Sequence, residues 1–218
     1  MANIVFSVPT MTDKGEILQF LFKYFITQES MSRAAKITEE QFRPCAEEIL
    51  DSSLKVPFSV IAREKETNEL AGILLQSIWE KSEEDIENQY SFGTPNQSPS
   101  GSIAFVLNQL HNSFYKLVPD DVSRVLHREM SCVAAKFQRQ GIAKRMALYH
   151  LENPKLNEFK IQGIASETSS QANQALLQKL GYKTIKEVHF KNIVDADGKP
   201  TLICDDGTEK AVLNYLKI

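Results

Sequence analysis

Apolar positions along the chain follow two periods in turn, and their alternation outlines the elements. Ile4 to Val8 is a short apolar-rich stretch ending at Pro9, which predicts a first strand. After an N-cap at Thr12-Asp13, the residues Ile17, Leu18, Leu21, Phe22, Phe25 and Ile26 recur at helical spacing. Thr38-Glu39-Glu40-Gln41 is a capping-box pattern opening a second helix, whose inner stripe is Phe42, Cys45 or Ala46, Ile49 and Leu50. Between the two helices, Thr27 to Ile37 is a polar connection carrying Glu29. Phe58 to Arg63 and Leu70 to Trp79 are rich in apolar and β-branched residues. With Thr67-Asn68 between them they predict an antiparallel hairpin.

The second half begins with a change of character. Residues 81–102 are dominated by Asp, Glu, Asn, Gln, Ser, Pro and Gly, and predict a mobile loop or a lid over a site. Ile103, Val106, Leu107, Leu110, Phe114 and Leu117 mark a helix stopped by Pro119. Ser123 to Ala134 predicts a long strand, Gly141 to Leu151 a helix, and Lys160 to Ala165 another strand. A helix then starts at Ser169 or Ser170, with Ala172, Ala175, Leu176 and Leu180 inward, and ends at Gly181. Thr184 to Phe190 and Ala211 to Ile218 are the last strands, separated by turns at Asp195 to Gly198 and Asp205 to Gly207. No internal repeat is present. This order predicts one mixed α/β domain over residues 1–218.

Composition narrows the function classes. Hydrophobic residues make up 42% and charged residues 24% of 218, which excludes a wholly disordered chain. No apolar run reaches the roughly 20 residues of a membrane span, and the first residues lack the zones of a secretory signal. A net charge of −3 argues against a dedicated nucleic-acid binder. Cys45, Cys132 and Cys204 are sparse, odd in number and far apart, as in reduced cytosolic proteins. No CxxC, HExxH or GxxxxGK[ST] occurs, and no metal is expected. A cytoplasmic protein, monomeric or weakly dimeric, is expected, without nucleic-acid or membrane partners.

The stretch from Met130 to Met146 carries the chemistry. A strand leads into Lys136-Phe137-Gln138-Arg139-Gln140-Gly141-Ile142-Ala143-Lys144-Arg145 and then a helix. Unpaired N–H groups at a helix start, the helix dipole and four basic residues describe a phosphate cradle. Taken alone this is a common pattern, and GxGxxG is absent. Some thirty residues on comes Glu167-Thr168-Ser169-Ser170-Gln171-Ala172-Asn173, continuing to Leu180-Gly181-Tyr182. Together the two pieces resemble the GCN5-related N-acetyltransferase (GNAT) superfamily. Its Q/R-x-x-G-x-G/A turn matches Gln138, Gly141 and Ala143, and its N-x-x-A-x-x-L-x-x-x-G-F helix is similar to Asn173 to Tyr182.

The resemblance implies a fold, a donor and a site. The fold would be a mixed, mostly antiparallel sheet, splayed at a V-shaped acetyl-CoA cleft and flanked by helices. The pantetheine arm would pair with Met130, Ser131, Cys132 and Val133. The pyrophosphate would meet Gln138, Arg139, Gln140, Gly141, Ile142, Ala143 and Lys144, with Asn173 near the sulfur end. Tyr24-Phe25-Ile26-Thr27-Gln28-Glu29-Ser30-Met31 is similar to the F-F-x-x-E-P-L segment of insect dopamine and arylalkylamine N-acetyltransferases. That likeness implies Glu29 as general base, assisted by Ser170, with Asn173 where the family has a second serine. Other branches place a base on the long strand, which makes His127, two residues from Glu129 on the same face, the second candidate. Without the resemblance Glu29 is a solvated charge and Ser170 an N-cap.

The expected activity is therefore acetyl transfer from acetyl-CoA to a small primary amine, an arylalkylamine, by direct attack in a ternary complex. Cys132 is expected to pack and not to act as a nucleophile. The alternatives are a polyamine or protein lysine acetyltransferase, toward which the acidic segment 83–87 points, and a catalytically silent acyl-CoA-binding protein.

Overall fold

A computed structural model describes residues 3–81, 99–149, 151 and 154–218. Seven strands join one sheet in the order β1-β2-β3-β4-β5-β7-β6. They are β1 (Ile4–Ser7), β2 (Val60–Glu64), β3 (Leu70–Glu80), β4 (Arg124–Val133), β5 (Gly163–Thr168), β6 (Lys183–His189) and β7 (Lys210–Lys217). Every neighbouring pair is antiparallel except β4 and β5. The hairpin forms where the pattern predicts it, with Asn68 in the left-handed region (φ 58°) at its turn.

The helices cover both faces of the sheet. Helix α1 (Lys14–Phe20) runs on through a π-helical stretch (Leu21–Phe25) into a last turn, α2 (Ile26–Gln28). Helix α4 (Glu39–Ser53) starts at the predicted capping box, with Thr38 and Gln41 bonded reciprocally. Its stripe, Phe42, Ala46, Ile49 and Leu50, closes one core against β2 and β3. On the other side of the molecule, Phe114, Tyr115, Val106 and Leu110 pack with Trp79, Val125, Leu213 and Tyr215 in a second core.

Several expected boundaries move. The segment 27–37 is not simply a polar connection, because Glu29 caps a short helix, α3 (Ser30–Ala34), through its own side chain. The helix expected from Ile103 to Leu117 begins earlier and is broken, as α5 (Pro99–His111) and α6 (Phe114–Leu117). Residues 99–102 therefore leave the loop expected at 81–102. Most of that loop, with the acidic segment 83–87, lies outside the described residues. The strand expected from Lys160 starts at Gly163, because Lys160 takes a left-handed φ of 54° and closes the turn after a further short helix, α8 (Lys155–Glu158). In α9 (Gln171–Lys179) the buried residue is Leu177, whereas Ala172 and Ala175 are exposed. Ala172 and Leu176 turn instead toward a cleft. Among the described residues no helix is long and apolar enough to cross a membrane.

Candidate active site

The sheet opens at its one parallel pair. β4 and β5 are in register only at Leu126 with Ile164 and His127 with Ala165. On the other side of β4 the register with β3 slips between Leu75 and Gln76, so that Glu129 is an extra residue between Arg128 and Met130. A bulge bends the strand and raises its twist. Beyond it β4 runs on to Val133 with no partner on β5, and α9 stands across the gap.

A cavity of about 480 Å³ fills that gap. Ser131, Cys132 and Val133 form one wall, and Ser170, Ala172, Asn173 and Leu176 the other. Its end is the turn before α7 (Ile142–Leu148), where Gln138, Arg139, Gly141, Ile142, Ala143 and Lys144 line the space. Arg139 (φ 61°) and Gly141 (φ 76°) are both left-handed, which turns the backbone sharply into the helix. A Cβ on Gly141 would meet nothing within 4 Å, so the glycine is there for its φ, and the space it faces is open. The first N–H groups of α7 have no partner within the helix. This donor set fits a diphosphate. Arg139 and Lys144 line the cavity, but Lys136 pairs with Glu69 and Arg145 lies 4.4 Å over the Phe6 ring. Two of the four basic residues therefore serve the surface. Gln140 does not line the cavity either; its side chain bonds back to the Lys136 carbonyl at 3.4 Å.

A second, tighter cavity of about 100 Å³ lies beyond the splay point. Phe25 and Phe42, stacked at 5.6 Å, and Met31, Ile37, Ile49, Ile103 and Leu107 make it mainly apolar. For scale, an apolar cavity of about 150 Å³ holds one benzene. Met130 lines this cavity and not the larger one. Three carboxylates also reach its wall: Glu29, Glu129 and Glu167.

Glu29 borders both cavities. Its Oε1 accepts from the Met31 N–H (3.0 Å) and from the Ser169 hydroxyl, and its Oε2 accepts from the N–H and the hydroxyl of Ser32, both at 2.6 Å. The helix it caps is held in turn by the β6–β7 connection: Ser30 donates to Asp206 at 2.6 Å, and Arg33 pairs with Asp205 and Asp206. Despite some burial, the Ser30 and Thr208 donors hold Asp206 down at about 2. Ser170 does not touch Glu29. Its hydroxyl caps α9, accepting from the Asn173 N–H at 3.3 Å, and faces the larger cavity.

His127 is 1% exposed and reaches neither cavity. Its Nδ1 lies 2.9 Å from Glu129 Oε1 and its Nε2 2.8 Å from Glu167 Oε2, with Trp79 stacked on its ring at 3.5 Å. Burial disfavours the charged imidazole, but the two carboxylates outweigh it and push His127 up to about 9. Glu129 is held below the ordinary carboxylate range; burial opposes this, and the charge of His127 and a bond from Ser77 prevail. The thiols are inert. Burial pushes Cys132 up to about 12, and burial with the nearby Glu129 does the same to Cys45.

The architecture has counterparts among solved structures. Arylalkylamine N-acetyltransferase 2 from Aedes aegypti superposes with a TM-score of 0.83 at 19% identity, covering 99% of each chain. Mosquito arylalkylamine N-acetyltransferase like 5b gives 0.81 at 14% identity over 99% of this chain and 100% of that one. The Drosophila melanogaster polyamine N-acetyltransferase that forms N-acetylagmatine gives 0.79 at 16% identity, again over 99% and 100%. This is the GNAT fold. By sequence, no family model and no curated protein matches.

Within the GNAT fold the two cavities meet at the splay of β4 and β5. From the sequence, Glu167 had no role, Ser169 stood only at the start of α9, and Glu129 was not joined to them. The sequence carried one signal for them: His127 and Glu167 sit on the two strands that the resemblance makes parallel neighbours, and Ser169 directly follows the second. Tyr215 packs against Phe114 in the second core, and His189 sits beside Glu187.

Proposed function

We propose that the protein transfers the acetyl group of acetyl-CoA to a small primary amine by direct attack in a ternary complex. The observation that carries this reading is the position of Glu29, a carboxylate shared by a cleft suited to a diphosphate-bearing arm and a small, mainly apolar pocket. Acetyl-CoA supplies an activated carbonyl and a thiol leaving group; the amine nitrogen bonds to the carbonyl carbon as the carbon–sulfur bond breaks.

What the chain contributes follows from amine chemistry. An amine with a Lys-like pKa of about 10.4 arrives as ammonium, and freeing its lone pair at pH 7 costs on the order of 4 kcal/mol. Glu29 is the base. Because each of its oxygens already accepts one backbone N–H and one serine hydroxyl, the proton reaches it by relay. Ser169, or Ser32 on the other oxygen, gives its own proton to the carboxylate as it accepts one from the amine. Backbone N–H groups of β4 beyond Arg128 that face away from β3, on the side where β5 no longer pairs, are placed to receive the developing oxyanion. A thiol as resistant to ionisation as Cys132 or Cys45 makes a poor acyl carrier at neutral pH, which favours direct transfer.

The apolar walls favour an arylalkylamine, whose ring needs the pocket to widen beyond about 100 Å³, and we expect tyramine, dopamine or serotonin to give the highest kcat/KM. Thiol-release kinetics with acetyl-CoA, against these amines, spermidine and a lysine peptide, test the reading. Calorimetry that detects no affinity for coenzyme A would overturn it. Binding of coenzyme A without acetylation of any amine would leave a silent acyl-CoA-binding protein.

A further inference from the structure

Glu29 is the joint between two helices too short to stand alone. α2 ends at Gln28, α3 begins at Ser30, and Glu29 between them is extended (φ −71°, ψ 132°). Helices of three and five residues draw little stability from their own hydrogen bonds, so the joint keeps its place only if something outside holds it. Each residue flanking Glu29 is tied to a different wall of the larger cavity. On one side, Gln28 Oε1 accepts from Gln138 Nε2 at 2.6 Å, and the same nitrogen donates to the Val133 carbonyl at 3.1 Å. Gln28 is thereby fastened to the turn before α7 and to the end of β4. On the other side, the hydroxyl of the fully buried Ser30 donates to Asp206 at 2.6 Å, and Asp206 accepts in turn from the Thr208 N–H at 3.0 Å. Arg33 joins the two sides: it pairs with Asp205 and Asp206 and donates to the Gln28 carbonyl at 2.6 Å.

We propose that Gln28 and Asp206 are positioning residues, two struts that hold Glu29 where the cavities meet. This rests on the N-acetyltransferase reading and adds to it the means by which the base is placed. Neither side chain bonds to Glu29; each acts through the residue beside it. The effect reaches the carboxylate because two of its donors, the N–H groups of Met31 and Ser32, belong to the first turn of α3, while Ser169 approaches from the end of β5. If that turn tilts, the relay no longer meets the amine, and a misplacement of about 1 Å can cost about a hundredfold in rate. Gln28 and Asp206 also line the larger cavity, which gives them a rival role, gripping the coenzyme arm. Loss of grip raises KM for acetyl-CoA, whereas loss of position lowers kcat.

Steady-state kinetics of Gln28→Leu and Asp206→Ala, with the amine that the wild type acetylates fastest, separate the two roles. Each substitution is expected to lower kcat about tenfold or more, with KM for acetyl-CoA and for the amine held within about twofold. Gln28→Glu and Asp206→Asn keep an acceptor for Gln138 and for Ser30, and are expected to recover most of the rate. Hydrogen exchange read by mass spectrometry is expected to quicken over residues 26–34 in the first pair alone, with the rest of the chain protected as before; this measurement needs no turnover. A raised KM for acetyl-CoA at unchanged kcat overturns the struts in favour of coenzyme grip. Wild-type exchange over residues 26–34 in both Gln28→Leu and Asp206→Ala overturns them as well. Where Asp206→Ala does not fold, Gln28→Leu, which breaks a bond at the surface, carries the test. Wild-type turnover with unaffected variants removes the struts and leaves the acetyltransferase intact; no acetylation of any amine by the wild type removes both.

Discussion

The two cavities share Glu29 and are otherwise built in opposite ways. The larger one is assembled mainly from two continuous stretches, residues 131–144 and 170–176, each a strand end or turn running into a helix start, with Phe25, Gln28, Glu29 and Asp206 added from elsewhere. The smaller one draws on the π-helical stretch, α3, α4, α5, β4 and the end of β5, gathered from residue 25 to residue 169. A site made of backbone and local turn geometry tolerates drift elsewhere in the chain. One made of side chains from six elements changes with any of them. The larger cleft is thus set by local backbone geometry and the smaller pocket is free to vary, in keeping with a fold that hosts many substrates.

Substitutions can break that contrast in order of effect. Glu29→Gln is expected to lower kcat by about a hundredfold or more, the scale of losing a general base, with coenzyme A affinity by calorimetry little altered. Turnover that survives Glu29→Gln but is lost in His127→Ala would transfer the base to the strand. Gly141→Val places a β-branched residue at φ 76°, and strain of about 1–3 kcal/mol at that turn is expected to raise KM for acetyl-CoA about tenfold. KM for the amine should stay put; if both rise together, the two sites are not separable.

The adjacent serines divide along the same line. Ser169→Ala is expected to lower kcat by about tenfold as the relay loses a hydroxyl. Ser170→Ala should instead cost about 1 kcal/mol of stability as a lost N-cap, read by denaturant unfolding. Equal kcat losses in both would return the catalytic role to Ser170. The smallest effect is on pH dependence. His127 sits above its ordinary 6.5, at about 9, so the stability it contributes is full below pH about 6.5 and is lost as pH rises through about 9. A thermal-unfolding series in wild type should fall over that window, and His127→Gln should flatten it.

Much of the fold was legible because it rests on local rules. The capping box at Thr38 and Gln41, the turn at Asn68, the helix ending at Gly181 and the strand–turn–helix around Gly141 need only neighbours in sequence. The errors came where tertiary contacts overrode local polarity. The segment around Glu29 is polar and was expected as a connection, yet it forms α3 because Glu29 supplies the cap and Asp206, from the far end of the chain, anchors Ser30. The apolar face of α9 was misjudged for a related reason: Ala172 and Leu176 border a cleft that no pattern of period 3.6 distinguishes from a core. Ser169 and Ser170 differ by one position, and only the bend after β5 decides which hydroxyl meets Glu29.

By itself the sequence determined the order of strands and helices, the left-handed turn at Gly141 and the donor-rich start of α7, since each follows from short-range sterics and hydrogen bonding. Tertiary structure alone decided the carboxylate cluster. Glu29, Glu129 and Glu167 are remote in sequence and each resembles any surface glutamate; the bulge at Glu129 and the parting of β4 from β5 bury Glu129 and Glu167 against one imidazole, while Glu29 is gathered to the same pocket by Ser32 and Ser169. Charge is local to a residue, but the cost of hiding it depends on everything folded around it.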